Sequence, residues 1–128
     1  MNNTNQPNQP GYSSIEMFDQ ETLSMLKEYA QSDPDVVKDI IDSFEPEASV
    51  LIQEIKEAVH NRNNLALKKS AHALAGICGS IGAKKLETIC RDVDNRIKSG
   101  NAEESFPLTS EIFKAYDELI GSLNKILE

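Results

Sequence analysis

Apolar residues recur along this chain every three or four positions, which is the period of helices with one buried face. Asp19 is placed to cap a short helix whose stripe is Leu23, Leu26 and Tyr29. Ser32-Asp33-Pro34 is a stronger start signal, a cap residue followed by Pro at the first helical position. Val36, Val37, Ile40, Ile41 and Phe44 follow at helical spacing, and Pro46 predicts a kink or a split. The pattern resumes through Ala48, Leu51, Ile52, Ile55 and Val59. Asn61-Arg62-Asn63-Asn64 reads as a turn that also caps the next helix, expected over 65–80 and ended by Gly82. A further helix over 83–98 turns Leu86, Ile89, Cys90, Val93 and Ile97 inward, and Ser99-Gly100-Asn101 closes it. The last helix carries Leu108, Ile112, Phe113, Tyr116, Leu119, Ile120, Leu123 and Leu127, and starts between 102 and 107. No segment alternates with period two, and there is no Asn-Gly or Asp-Gly hairpin signal. The pattern predicts an all-α fold over 15–128: an antiparallel four-helix bundle with a short extra N-terminal helix. Residues 1–14, rich in Asn, Gln and Pro and without a hydrophobic period, read as a disordered tail.

Composition adds mainly exclusions. The 128 residues suffice for one core, and 13 basic against 21 acidic side chains give a net charge of -8. That balance argues against a general nucleic-acid binder. No apolar run is long enough to cross a bilayer. The first residues lack the basic start and apolar stretch of a secretory signal, so a cytoplasmic, monomeric protein off the membrane is expected. Two cysteines in such a setting do not make a disulfide framework. The charge is unevenly spread. Segment 61–98 holds eight basic residues and three acidic ones, whereas the rest holds five and eighteen. A basic island in an acidic chain suggests that this segment meets something negative.

The island contains the chemically informative helix. At 100° per residue, Leu67, Ser70, Leu74, Ile77, Cys78 and Ile81 share the core side, and His72 falls on the opposite one. Gly76 lies about 40° and Gly79 about 20° from His72, with Lys68, Lys69 and Ala75 flanking the same face. Glycine in a helix costs about 1 kcal/mol relative to Ala. Two of them beside an outward imidazole read as clearance for another protein's backbone or loops. The lysines add positive potential where an anion would sit. No second His, Cys or carboxylate lies one turn away for a metal, and Ser70 and Cys78 project to the other side. No acidic residue on this helix can orient the ring. What remains is His72 as a nucleophile in its own right, receiving a phosphoryl group.

At these residues the chain resembles the histidine-containing phosphotransfer (HPt) domain family of multistep phosphorelays. The family pattern His-x-Leu-Lys-Gly, then Gly-Ala, then a helix with Leu and a small residue, reads here His72-Ala73-Leu74-Ala75-Gly76, Gly82-Ala83, Leu86 and Cys90. The likeness covers roughly 15–127. It implies a four-helix bundle with the histidine exposed near mid-helix, and a carrier rather than an autonomous enzyme. His72 would accept a phosphoryl group from a receiver aspartate of a hybrid sensor kinase and pass it to the receiver of a response regulator. Phosphate-stabilising and docking residues would be Lys68, Lys69, Ala75, Gly76 and Gly79. No cofactor is implied for this chain: the Mg²⁺ belongs to the receiver, and no phosphate-binding loop is present. The sequence departs from the family at Ala75, where the family carries a lysine that helps hold the phosphoryl group; Lys68 and Lys69, one turn before His72, are its expected substitutes. Ala75 also motivates the alternative of a receiver-binding adaptor without phosphotransfer. A third reading is a plain helical interaction protein in which His72 has no role. His60 reads as a helix-end residue, and Cys78, Cys90, Phe44, Phe113 and Tyr116 as core.

Overall fold

The structure, a computed structural model, describes residues 11–128. Six α-helices follow a turn of 3₁₀ helix at Tyr12–Ser14: α1 (Gln20–Ser32), α2 (Pro34–His60), α3 (Asn64–Ser80), α4 (Lys84–Lys98), the single turn α5 (Ala102–Ser105) and α6 (Thr109–Leu127). The four long helices α2, α3, α4 and α6 form the bundle. Helix α3 lies between α2 and α4, and α6 closes the ring against both. Helix α1 lies across α2 and α6. Leu67, Leu74, Leu86, Ile89, Val93, Ile112 and Leu119 are fully buried at its centre.

Two of the expected caps work as local chemistry requires, whereas Asp33, ahead of Pro34, makes no side-chain cap bond to α2. Asp19 caps α1 by accepting from Thr22 N at 2.8 Å, and Asn63 caps α3 by accepting from Ala66 N at 3.0 Å. Three helices end in the same way, with a left-handed residue whose neighbours bond back to the last carbonyls. Gly82 N donates to Gly79 O, and Ala83 N donates to Cys78 O at 2.9 Å. Gly100 and Asn101 repeat this on Ile97 and Arg96. After α2 the left-handed residue is Arg62, at φ 51°, an unfavourable choice for a side chain. Its guanidinium is held in place by Glu103 and lies 4.3 Å from the centre of the Phe106 ring.

Three expectations change. Helix α2 runs through Pro46 without a break. Pro46 and Asp42 both lie on the exposed face, so the Asp42 carbonyl left without its N–H partner is not enclosed in the core, while Phe44 and Ala48 on the other face stay packed. The entry into the last helix is divided: α5, a 3₁₀ turn at Phe106–Leu108, then α6. Of the expected tail, residues 1–10 lie outside the described residues, and residues 12–14 are ordered as a 3₁₀ turn with Tyr12 buried. The Tyr12 hydroxyl donates to Asp92 Oδ2 on α4 at 2.7 Å. Burial and that hydrogen bond push the phenol above its ordinary range, so it remains a donor.

The segment after Tyr12 fastens the α3–α4 turn. Asp19 N donates to Gly82 O at 3.1 Å, and Lys85 N donates to Met17 O. Gly82 sits at φ 69°, and a Cβ there would overlap Thr22 Oγ1 and come within 2.9 Å of Asp19 Oδ2. Both strain and collision oppose a side chain. Gly82→Ala is therefore expected to destabilise the fold by at least about 2 kcal/mol in chemical denaturation. An unchanged midpoint would contradict this account of the turn.

Candidate functional site

His72 sits near the middle of α3, on the side turned away from α6 and towards α4. Its side chain is 63% exposed, so one ring edge is open to solvent. The other edge is fixed. His72 Nδ1 lies 2.8 Å from Oδ2 of Asp94, a residue of α4 that is itself only 4% exposed. A carboxylate can only accept, so the proton of this bond belongs to Nδ1. The Asp94 charge state supports the assignment. Burial raises its carboxyl, but the hydrogen bonds from His72 and Lys98 and the Lys98 charge outweigh burial and hold it below the ordinary aspartate range. An ionised Asp94 fixes the neutral ring as the Nδ1–H tautomer. The lone pair is then on Nε2, at the open edge.

Lys98 completes the cluster. Its Nζ is 3.2 Å from Asp94 Oδ2, the same oxygen that receives His72. Asp94 and Lys98 stand four apart on α4, acid before base, the favourable order for a helical pair. Asp94 Oδ1 is buried without a partner. Below these groups, Cys78 and Cys90 are fully buried thiols. Burial pushes Cys78 up to about 12 and raises Cys90 as well, so neither offers a thiolate to His72. Among the described residues, no group of three or more His, Cys, Asp or Glu could hold a metal ion.

The sequence-predicted residues separate into two sides of α3. Gly76 is open: a Cβ built there meets nothing within 4 Å. Gly79 is different, because its Cβ would stand 3.1 Å from Glu87 Oε2. Its missing side chain makes room for the Glu87 carboxylate, which pairs with Arg91 at 2.7 Å, so Gly79 has a packing role that helical spacing alone does not show. Lys69 is exposed and lines a polar groove with Glu54, Glu57 and Ser70, on the α2 side of His72. Lys68 is half-buried. Ala75, expected on the outward face, is fully buried. Its methyl group, 60° from His72, is packed inside the bundle, so it offers no docking surface. Directly after Gly76 and one turn further, Ile77 and Ile81 join Val36, Ile40 and Phe44 of α2 in an apolar groove edged by Asp39 and Glu47.

Sequence reasoning on α3 alone finds no carboxylate for the ring, and none is there. The orienting group comes from the neighbouring helix, 22 residues on. A signal for it exists: Asp94 follows Cys90 by four on the apolar stripe of α4, and a charge placed on a buried stripe needs a partner.

Three comparisons set this site among known proteins. No curated protein matches the chain. A solved structure of histidine-containing phosphotransfer protein B (HptB) from Pseudomonas aeruginosa PAO1 is similar with a TM-score of 0.71 at 18% identity, over 88% of this chain and 95% of that one. At that identity the likeness concerns the fold. The sequence pattern of the Hpt domain matches residues 39–125, a stretch that holds His72, Gly76, Asp94 and Lys98 and more than half of the chain. With an exposed, oriented imidazole within that stretch, the chain belongs to the Hpt domain family, the phosphoryl carriers of two-component phosphorelays that work with receiver domains.

Proposed function

We propose that this protein carries a phosphoryl group on His72 Nε2, taking it from the aspartate of one receiver domain and giving it to the aspartate of another. The observation that supports this reading best is the His72–Asp94 bond, which engages Nδ1 and leaves Nε2 as the free nitrogen on an exposed ring edge. In the forward step the Nε2 lone pair forms the P–N bond while the P–O bond to the donor aspartate breaks. That electron pair leaves with the donor's carboxylate. No proton has to move, because Nδ1 keeps its own. The product is an N-phosphorylated ring bearing formal positive charge beside the Asp94 carboxylate. In the second step the same ring departs as neutral imidazole, a good leaving group, so the carrier works in both directions. Such a transfer is mostly positioning and charge stabilisation. The receiver would supply the Mg²⁺ and the acidic cluster that holds it. The apolar groove of Val36, Ile40, Phe44, Ile77 and Ile81 would give the docked receiver a foothold beside the ring.

The direct test incubates the protein with a panel of receiver domains phosphorylated in Mg²⁺. Acid-labile phosphate is expected on the wild type and not on His72→Gln. Binding without label would instead support the adaptor reading that Ala75 raises, and neither label nor binding would leave a helical interaction protein.

The two neighbours of the ring have separable effects. Asp94→Asn keeps a hydrogen-bond acceptor but removes the charge, and is expected to slow transfer in both directions by about tenfold or more. Equal rates for wild type and variant would remove Asp94 from the mechanism. Gly76→Ala meets no neighbour and should gain up to about 1 kcal/mol in stability. Gly76→Gln should fold equally well yet block phosphate acceptance, since its longer side chain occupies the open space beside Nε2. A Gln variant that accepts phosphate at the wild-type rate would show that this space is not used.

A further inference from the structure

We propose that Lys98, reaching across from α4, is the cation that serves the phosphoryl group on His72, bridging it to Asp94. This rests on the phosphocarrier reading and concerns how this chain, with Ala75 on the histidine's own helix, manages the charge.

Three observations carry it. First, Ala75 is fully buried, so α3 presents no cation in the turn after His72. Secondly, Lys69 lies on the other side of α3, in a groove with Glu54 and Glu57, whose carboxylates compete for it. Thirdly, Lys98 and His72 share one oxygen: Asp94 Oδ2 receives Nδ1 at 2.8 Å and Lys98 Nζ at 3.2 Å. The ammonium is thus held one carboxylate oxygen from the reacting ring, on a side chain that is 48% exposed and free to follow a new partner. A lysine has three donors, and one on Oδ2 leaves two for phosphoryl oxygens.

The charges require such a group. Before transfer, the neutral ring, Asp94 and Lys98 sum to zero. Phosphorylation brings about two negative charges. The ring gains one positive charge, so the cluster ends at about one negative with Lys98 and two without it. Asp94 is needed to orient the ring, yet it also repels the incoming phosphoryl group. Lys98 offsets that repulsion without displacing the Nδ1–H bond. Lys68, half-buried one turn before His72, is the competing candidate.

The test compares wild type, Lys98→Ala, Lys98→Arg, Lys68→Ala and Lys69→Ala. Each is phosphorylated through the same receiver domain, charged with acetyl phosphate and Mg²⁺. The readouts are the equilibrium level of phosphohistidine and the rate of acceptance. Lys98→Ala is expected to lower both by roughly three- to tenfold, the size of one half-exposed charge-assisted contact. Lys98→Arg should restore most of the loss, and the difference should shrink at high ionic strength. Lys98→Ala removes a partner of the buried Asp94 and is expected to lower the thermal midpoint, so both readouts are taken well below it; a lysine that serves only the fold would there leave the phosphohistidine level and the acceptance rate unchanged. If wild type and Lys98→Ala take up phosphate alike, or only Lys68→Ala is impaired, the assignment of Lys98 is overturned while the carrier function stands. If wild type takes up none from any receiver, the carrier reading falls and this inference with it.

Discussion

A buried carboxylate holding one edge of an exposed ring is the constraint on which this site depends. The two halves of the requirement conflict within a single helix. An imidazole that must meet another protein has to stand clear of the core, but a free histidine on a helix surface samples several rotamers and both tautomers. The bundle resolves this by dividing the task between two helices. Helix α3 presents the ring, and α4 supplies Asp94 from within the interface, where its own position is fixed by packing. The hydrogen bond then selects rotamer and tautomer together, and directs Nε2 to solvent.

Such a division makes the site only as well defined as the register between α3 and α4. That register is set at the turn joining them. Gly82 takes the left-handed conformation that lets its neighbours bond back to Cys78 and Gly79, and its carbonyl accepts from Asp19. Lys85, in the first turn of α4, donates to Met17. At the middle of α4, Tyr12 holds Asp92, two residues from Asp94 and on the opposite side of the helix. The segment from Tyr12 to Asp19 therefore braces α4 from outside while α3 meets it from inside. Stability contributed by the ionised Asp94 follows the usual sign for a depressed carboxyl. It is present above the ordinary aspartate range and is lost as pH falls through the lower folded value.

Much of this was legible in the sequence because it rests on local rules. The caps at Asp19 and Asn63, Pro34 at a helix start, and the turns at Gly82 and Gly100 each act within a few residues, and each lies where spacing predicts. The outward direction of His72 follows from the angle per residue. Pro46 does not break α2, because its effect depends on which face it occupies, and on the solvent face a lost hydrogen bond leaves no polar group enclosed in the core. Tyr12 was hidden by its neighbours: one aromatic ring beside an Asn, Gln and Pro stretch has no period, and its place comes from a partner 80 residues away. Helical spacing along α3 alone does not display that Ala75 is buried or that Glu87 of α4 lies against Gly79. What the chain order does not display is in each case a contact between helices.

Asp94 and Lys98 belong to that class, and on the reading proposed above the cation stands on a different helix from the ring. A lysine on α3 after the histidine would approach the phosphoryl group from the ring's own helix, independently of the orienting residue. Here the cation and the orienting carboxylate are one turn apart on α4, so they move as a unit relative to His72. A negatively charged orienting group creates a need that a neutral amide would not, since it stands near two further negative charges once the ring is phosphorylated. Placing the lysine at four residues from the aspartate answers that need with the pair geometry a helix already favours. The exposed position of Lys98 keeps it mobile enough to serve both partners, and the buried position of Asp94 keeps the ring from following it. On the proposed reading the functional unit is a triad across two helices, in which one carboxylate oxygen ties the ring to its counter-charge.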